Sequence, residues 1–510
     1  FRECKTFKRD VVIQDEYLHV TCRVNGEKIF KQYYAFVPNK PKIWNSQNIA
    51  EHTNTSYNLL LVGMDAVSRL NFHRQLPNTI NTLNNLGMIE LLGYNKVADE
   101  KFPNLVPLLT GQSTSELKKT CWLNNYETLD SCPWIWKNFH NSGFISGYGE
   151  DAADLSMFFY HNEGLSQKPT DYDITPFMKQ ADEDTGHKNT YVANLCLGNH
   201  MCLETLFDYI SKFANSFKNY RKFGFFWSNS LTHDNLNYAS LADNSYVRLI
   251  RQLDSSEVLT NTILILLSDH GLRNSKITEV NQGYLEDKLP HVFFIFPKTF
   301  EKMYPLAINN LKSNTHRLTT AFDIHKTLLD LTNPELKIDN QILRQRRFEL
   351  QRENSTRAIS LFLRVPESRT CKDAEIGLHY CTCLISKSIS PTGKLVQDIG
   401  NGLVQYINSL LKKYTECSLL TLVEVRTARI EYSLVQWYEK TKEKYRSHYV
   451  VSVLTAPGNG LFEGIIAQTS NKGTYHIIGN VTRINTYGSE NTCIDDYDIK
   501  YFCYCEDLIS

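Results

Sequence analysis

The sequence predicts an α/β protein built on a doubly wound, mostly parallel sheet, and three apolar runs carry that prediction. Residues 57–62, 223–227 and 262–267 are hydrophobic without alternation, the pattern of strands buried on both faces. Each run exits into polar groups: Gly63-Met64-Asp65, the stretch 228–234 with His233, and Ser268-Asp269-His270-Gly271. Open α/β sheets place ligands and reacting groups at the carboxyl ends of their strands. Carboxylate and imidazole converging there are what a divalent transition metal requires. A lone Asp-His-Gly says little, because a core histidine beside a turn is common. Three such strand ends in one chain say more.

Taken in order, residues 1–50 read as a small β appendage. Residues 16–22 alternate, Asn25-Gly26 is a hairpin signal, and 28–37 alternate again before Pro38 and Pro41. A Cys4–Cys22 bridge would close it. From 51 to 365 strands and helices alternate, as a mostly parallel sheet demands. Leu76-Pro77 opens a helix that carries Ile80, Leu83 and Leu86 inward and stops at Gly87; residues 89–94 form the next strand. Phe102-Pro103-Asn104 precedes an apolar helix, a turn that presents one residue at a positive helix terminus. Cys121 to Cys132 reads as a stapled surface loop, 134–139 and 143–148 continue the layers to Glu150-Asp151, and 160–190 reads as an irregular polar surface. A helix covers about 201–216, a buried strand 288–297 and a helix 318–330; 335–358 is charged and solvated. Residues 366–510 form a cysteine-rich α+β module, with an amphipathic helix at 396–411 and strands at 418–425, 428–437, 449–454, 460–467, 475–482 and 501–505.

The 510 residues suffice for two or three domains. With 55 basic and 55 acidic residues, no global field draws the chain to nucleic acid or an anionic membrane. No apolar run reaches the ~18 residues of a membrane span. The chain opens on Phe1 without a methionine, so an upstream signal segment is expected to have been removed. Thirteen cysteines at short spacings point to disulfides in an oxidising, extracellular compartment. Zinc on the Cys-x-Cys pairs is the rival, against which the spacings match no standard ligand frame. An odd count leaves one thiol over. Sequons at Asn54, Asn354 and Asn480 fit a secreted glycoprotein.

The order of these motifs is similar to the domain-of-unknown-function 229 family, within the alkaline phosphatase and sulfatase superfamily. The residues that carry the resemblance are Gly63-Met64-Asp65 to Phe72, Phe102-Pro103-Asn104 with Leu108 to Gly111, Phe226-Trp227 with His233-Asp234, and Ser268 to Gly271. Leu318 to Leu328, Arg369-Thr370-Cys371 with Cys381-Thr382-Cys383, and Phe462-Glu463 match as well. The resemblance implies a secreted or membrane-associated animal protein, one or two divalent metals, commonly zinc, and a hydroxyl or modified-cysteine nucleophile attacking a phosphate or sulfate ester. Asp65, Asp269 and His270 then match the ligands of one metal and His233 a ligand of the other; His316 and His325 are candidates for a late ligand.

Two departures stand out from the family pattern. Asn229 occupies the place of an acidic ligand four residues before His233, and Lys101 occupies the nucleophile position, where related members carry a threonine. A lysine cannot serve as the hydroxyl of this chemistry, and its charge would face a cation. Projected between Asp65 and Asp269, the ammonium would stand in for the metal and relieve two buried carboxylates that face each other. The leading expectation is therefore a secreted glycoprotein with no catalytic residue, which binds an extracellular ligand or protein. One alternative is an active metal-dependent phosphoric or sulfuric ester hydrolase, with Ser68, Thr110 or water as nucleophile. The other is a structural subunit of an extracellular assembly.

Overall fold

The computed structural model describes residues 4–40, 56–124, 126–158, 164–189, 192–273, 275–352, 357–432, 445–469, 475–486 and 488–508. They form two units, Phe1–Leu272 with Leu289–Arg369, and Arg273–Lys288 with Thr370–Ser510.

In the first unit, β1 (Tyr17–Val24) and β2 (Glu27–Ala35) make the expected hairpin. Its turn places Asn25 at φ 50° and Gly26 at φ 85°, the left-handed pair a two-residue hairpin demands. The expected Cys4–Cys22 bridge is absent: both thiols are free and exposed. Cys22 is held in the β1–β2 ladder, whereas Cys4 lies in a segment without strand pairing.

The central sheet uses β3 (Asn58–Met64), β4 (Ile89–Glu90), β5 (Ile145–Glu150) and β6 (Tyr172–Asp173). A separate three-stranded sheet follows, of β7 (Gly186–Asn189), β8 (Asn194–Leu197) and β9 (His200–Met201). Then β10 (Lys222–Ser228), β11 (Thr262–Leu267) and β12 (Val292–Ile295) complete seven strands in the order β4-β12-β11-β3-β10-β5-β6. The pairs from β11 through β6 are parallel, and β12 runs antiparallel to β11 and β4. This is the mixed α/β architecture expected. The unalternating apolar runs have a direct cause: Leu59 and Leu61 enter one hydrophobic core while Leu60 and Val62 enter the other, on opposite faces of β3. Gly63 is obligatory by packing, because a Cβ there would collide with the Trp227 indole on the neighbouring strand.

The second unit pairs β13 (Ile385–Ser388), β14 (Thr421–Tyr432), β15 (Tyr445–Ala456), β16 (Leu461–Thr469) and β17 (Tyr475–Arg483) in sequence order, all antiparallel. The helix Lys394–Leu411 buries Val396, Ile399, Leu403 and Ile407 in the core of this unit. Three disulfides, Cys371–Cys381, Cys417–Cys503 and Cys493–Cys505, staple the unit, and Cys121–Cys132 closes the loop expected in the first.

Several local expectations change. Residues 164–189 are not irregular: they hold β6, the helix Thr175–Thr185 and β7. The charged stretch after 334 is mostly exposed, as expected, and is helical at Pro334–Ile338 and Asn340–Arg352. Of the layers expected at 134–139 and 143–148, the first is the helix Ile135–Asn141 and the second is β5. The two strands expected around 426–427 are one, β14, kept continuous by register shifts at Leu422/Glu424 and Val425/Thr427. Near the end, the helix Tyr497–Lys500 and a single antiparallel backbone pairing of Cys417 with Cys505 replace a strand at 501–505. Among the described residues no helix is long and apolar enough to cross a membrane. Of the three sequons, Asn480 is exposed on β17, while Asn54 and Asn354 lie outside the described residues.

Candidate metal centre and its lysine

The parallel strands bring their carboxyl ends together in the first unit. Asp65 follows β3, Asn229 and His233 follow β10, Asp269 and His270 follow β11, and Glu150 ends β5. All are buried except His233, which is half-buried.

Asp65, Asp269 and His270 each offer a ligand atom within 4.8 Å of the others, so three of the residues singled out in the sequence converge. Local backbone sets this up. Ala66 adopts φ 58°, an uncommon conformation for a residue with a side chain. There its N–H donates to Asp269 Oδ1 at 3.1 Å, and the His270 N–H donates to the same oxygen at 2.9 Å. Asp269 Oδ2 and both Asp65 carboxylate oxygens are buried with no hydrogen-bond donor reaching them. His270 Nε2 lies 3.4 Å from Asp269 Oδ2 and 4.0 Å from Asp65 Oδ1, while its Nδ1 is 2.6 Å from Gly271 O. That second contact orients the ring as metal-ligating imidazoles are oriented.

The electrostatics are those of acids that share too little positive charge. Burial and then the Asp65 carboxylate push the Asp269 carboxyl well above its ordinary value. Burial also opposes ionisation of Asp65, but the charges of Lys101, His233 and His270 outweigh it and hold that carboxyl below its ordinary value. His233 Nδ1 contacts Asp234 Oδ1 at 2.7 Å.

Lys101 opens the helix Lys101–Thr110, after the extended N-cap Glu100. Asn104 holds the loop before it, accepting from the Val97 and Ala98 N–H groups at 2.9 and 3.0 Å and donating to Glu100 O at 2.9 Å. The sequence expectation of a loop presenting one residue has this structural basis. The ammonium donates to Asn229 Oδ1 at 2.6 Å and to the Leu155 carbonyl. It stands 3.8 Å from Asp65 Oδ2 and 3.9 Å from Glu150 Oε2. It therefore turns inward, but toward Asp65, Glu150 and Asn229, and not between Asp65 and Asp269. A cation at a helix N-terminus opposes the macrodipole; the two carboxylates offset that cost.

Glu150, the last residue of β5, is a full member of the cluster. It accepts from Asn229 Nδ2 at 2.9 Å, from the Met157 N–H at 2.8 Å and from the Tyr148 hydroxyl, while burial lifts its carboxyl above its ordinary value. Asp151 supports the loop after β10, accepting from the Asn229 and Ser230 N–H groups and the Ser228 and Ser230 hydroxyls at 2.6–3.1 Å. The alternative nucleophiles are committed elsewhere. Ser68 Oγ caps the helix Arg69–Gln75, accepting from Asn71 N at 3.0 Å, and Thr110 Oγ1 donates to Val106 O at 2.7 Å at the far end of its helix. His316 is exposed and His325 contacts Leu108 O at 3.0 Å. Arg369 forks onto both oxygens of Asp323 at 2.8 and 3.1 Å, so these two family-matching residues form a buried structural pair.

Residues 1–426 match the family described as Protein of unknown function (DUF229). No curated protein matches the chain in sequence. Among solved structures it is similar to Ps i-CgsB in complex with k-i-k-neocarrahexaose, at 12% identity over 83% of this chain and 86% of that one, TM-score 0.39. It is also similar to an alkaline phosphatase superfamily protein from Vibrio parahaemolyticus, at 11% identity over 89% and 86%, TM-score 0.37. A third is the soluble domain of lipooligosaccharide phosphoethanolamine transferase A from Neisseria meningitidis, at 9% identity over 58% and 97%, TM-score 0.37.

Proposed function

The chain belongs to the DUF229 family, and from that premise we propose a secreted, disulfide-bonded glycoprotein of alkaline phosphatase and sulfatase type that binds an extracellular ligand or protein without turning over an ester. The observation that carries this reading is the position of Lys101. Its ammonium bonds to Asn229 at 2.6 Å and stands 3.8 Å from Asp65. A side-chain amine thus fills the space that the resemblance gives to one metal, at the place where a nucleophilic hydroxyl is expected. The two hydroxyls that the sequence offered for that role, Ser68 and Thr110, are engaged in helix contacts.

The other half of the centre suits a cation. The three buried oxygens without donors, on Asp65 and Asp269, are the acceptors a divalent ion would satisfy, with His270 as third ligand. A metal there would supply a Lewis acid for an anionic group. Around it the chain's own residues do the work of binding. The Lys101 ammonium adds positive charge beside Asp65 and Glu150, Asn229 fixes that ammonium, and the Ala66 and His270 N–H groups hold Asp269 in place.

That retained acidic half favours one second reading, a metal-dependent hydrolase of phosphoric or sulfuric esters using water. The two readings part on turnover. Zinc-loaded protein is expected to leave an aryl phosphate and an aryl sulfate intact while metal analysis finds zinc bound. Turnover that disappears in Asp269→Asn would establish the hydrolase instead.

A further inference from the structure

In the second unit a free thiol stands beside a disulfide. Cys371 and Cys381, ten positions apart, are bridged, and the Cys383 thiol is free and exposed. The three sulfurs all lie within 4.8 Å of one another. Cys371 is fixed by a tight turn: the Thr370 N–H and hydroxyl both donate to Asp373 Oδ2 at 2.8 Å, and the Ile376 N–H donates to the Cys371 carbonyl at 2.8 Å. Cys381 follows the short helix Leu378–Tyr380, and Cys383 lies between it and β13.

Thiol–disulfide exchange needs a nucleophilic sulfur within reach of a bridge, and this cluster holds both. A second sulfur cluster of the unit shows what is missing without the thiol. Cys493 Sγ stands 3.7 Å from Cys503 Sγ, yet both belong to bridges, Cys493–Cys505 and Cys417–Cys503, and no free cysteine of the described residues is grouped with them. At the first cluster the thiol has two targets, and chain geometry selects Cys371. A Cys381–Cys383 bridge would join residues two positions apart and strain the backbone between them. A Cys371–Cys383 bridge closes almost the same loop as the existing one, at nearly the same entropy. The sulfur released is then that of Cys381, which is buried where Cys383 is exposed.

We propose that Cys383 and the Cys371–Cys381 bridge form a thiol–disulfide exchange centre, which presents a thiol at the surface in one state and hides it in the other. The Cys383 thiolate attacks Cys371 Sγ, the Cys371–Cys381 bond breaks as the Cys371–Cys383 bond forms, and Cys381 leaves as a thiolate that takes up the proton Cys383 gave to water. One bridge and one thiol remain, so no oxidant or reductant enters. With Cys383 free, this part of the unit can form a mixed disulfide with an external disulfide; with Cys381 free, the thiol is out of reach. The inference is independent of the metal centre and of the function proposed above. Desolvation pushes the Cys383 thiol above its ordinary value of 9.0, which makes the step slow near neutrality.

The full chain, purified without reductant, is held at mildly alkaline pH, quenched in acid, unfolded, alkylated with N-ethylmaleimide and digested without reduction. Fragmentation of the peptide that carries Cys381 and Cys383 in the mass spectrometer locates the label. The label is expected on both residues, in a ratio within about tenfold of even because the two bridges close similar loops. Cys383→Ser removes the nucleophile and should leave Cys381 unlabelled. Cys381→Ser should carry a Cys371–Cys383 bridge beside the other three, with an unchanged melting temperature; if that variant fails to fold, the label on the parent chain decides. The proposal is overturned if the label stays on Cys383 alone, if Cys381 is labelled in Cys383→Ser, or if Cys381→Ser folds with its other three bridges while Cys371 and Cys383 both remain free.

Discussion

In the first unit a lysine ammonium, and in the second an arginine guanidinium, is set beside two buried carboxylates. The outcomes differ because the cations differ. Arg429 is a planar fork that reaches Glu431 and Glu463 with separate nitrogens at 2.9 and 3.1 Å. Lys101 is a point charge whose hydrogen bonds go to neutral oxygens, on Asn229 and Leu155, while Asp65 and Glu150 stand off at 3.8 and 3.9 Å. What is left unmet differs accordingly. Around Asp65 and Asp269 the orphaned atoms are all acceptors; around Arg429 they are of both kinds. The first remainder is of the kind a cation would meet, and the second has no single sign.

The comparison is broken most severely at Arg429. Arg429→Ala leaves Glu431 and Glu463 buried without their partner, and should destabilise the second unit by about 3–5 kcal/mol. Urea unfolding followed by hydrogen exchange in β14–β16 measures it. A loss below about 1 kcal/mol would mean that water already solvates the cluster. Lys101→Met is expected to cost less, about 2 kcal/mol, because the ammonium bonds to neutral oxygens and stands 3.8 and 3.9 Å from the two carboxylates. Zinc should recover that loss in Lys101→Met and have a smaller effect on the parent chain, since removing the ammonium frees room and charge for a second ion. If the parent gains as much stability from zinc as the variant does, Lys101 is no substitute for a metal.

How much of this could be read from the sequence follows the range of the interactions. Asp65, Asp269 and His270 were legible because each closes an unalternating apolar run, and strand-end placement is local information. Lys101 was legible by contrast with the motif it interrupts, and the hairpin at Asn25-Gly26 by its turn chemistry. The direction in which Lys101 points was not, since Asn229 and Leu155, which receive its protons, are set by the packing of β10 and of the loop after β5. Nor was the membership of Arg273–Lys288 in the second unit. Lys288 reads in sequence as the start of a strand, yet it ends the helix Asn281–Lys288 and is buried against Tyr284. Tyr284 lies one helical turn away, but Arg429, Glu431 and Glu463, more than a hundred positions on, leave no mark in the local pattern.

That lysine supplies the finest test of the contrast. Burial pushes the Lys288 ammonium down to about 7; Glu463 and Glu431 pull it back up, Arg429 adds to the lowering and Asp287 opposes it. An unfolded lysine keeps its proton to the ordinary value of 10.5. Between those two values the unfolded chain binds more protons than the folded one, so the stability of the second unit rises with pH across the window. The slope is at most about 1.4 kcal/mol per pH unit from this one group. Lys288→Met should flatten it while the Arg429 bonds to both glutamates persist. In the first unit Lys222, pushed by burial to about 8 with its ammonium on the Ala214 and Ser216 carbonyls, gives a slope of the same sign over a narrower window. Hydrogen exchange resolved by unit separates the two. A stability that falls with pH above 7 in the second unit, or a slope unchanged by Lys288→Met, would show that Lys288 stays charged beside Glu463 and Glu431. Its ammonium would then be paired as tightly as the guanidinium beside it.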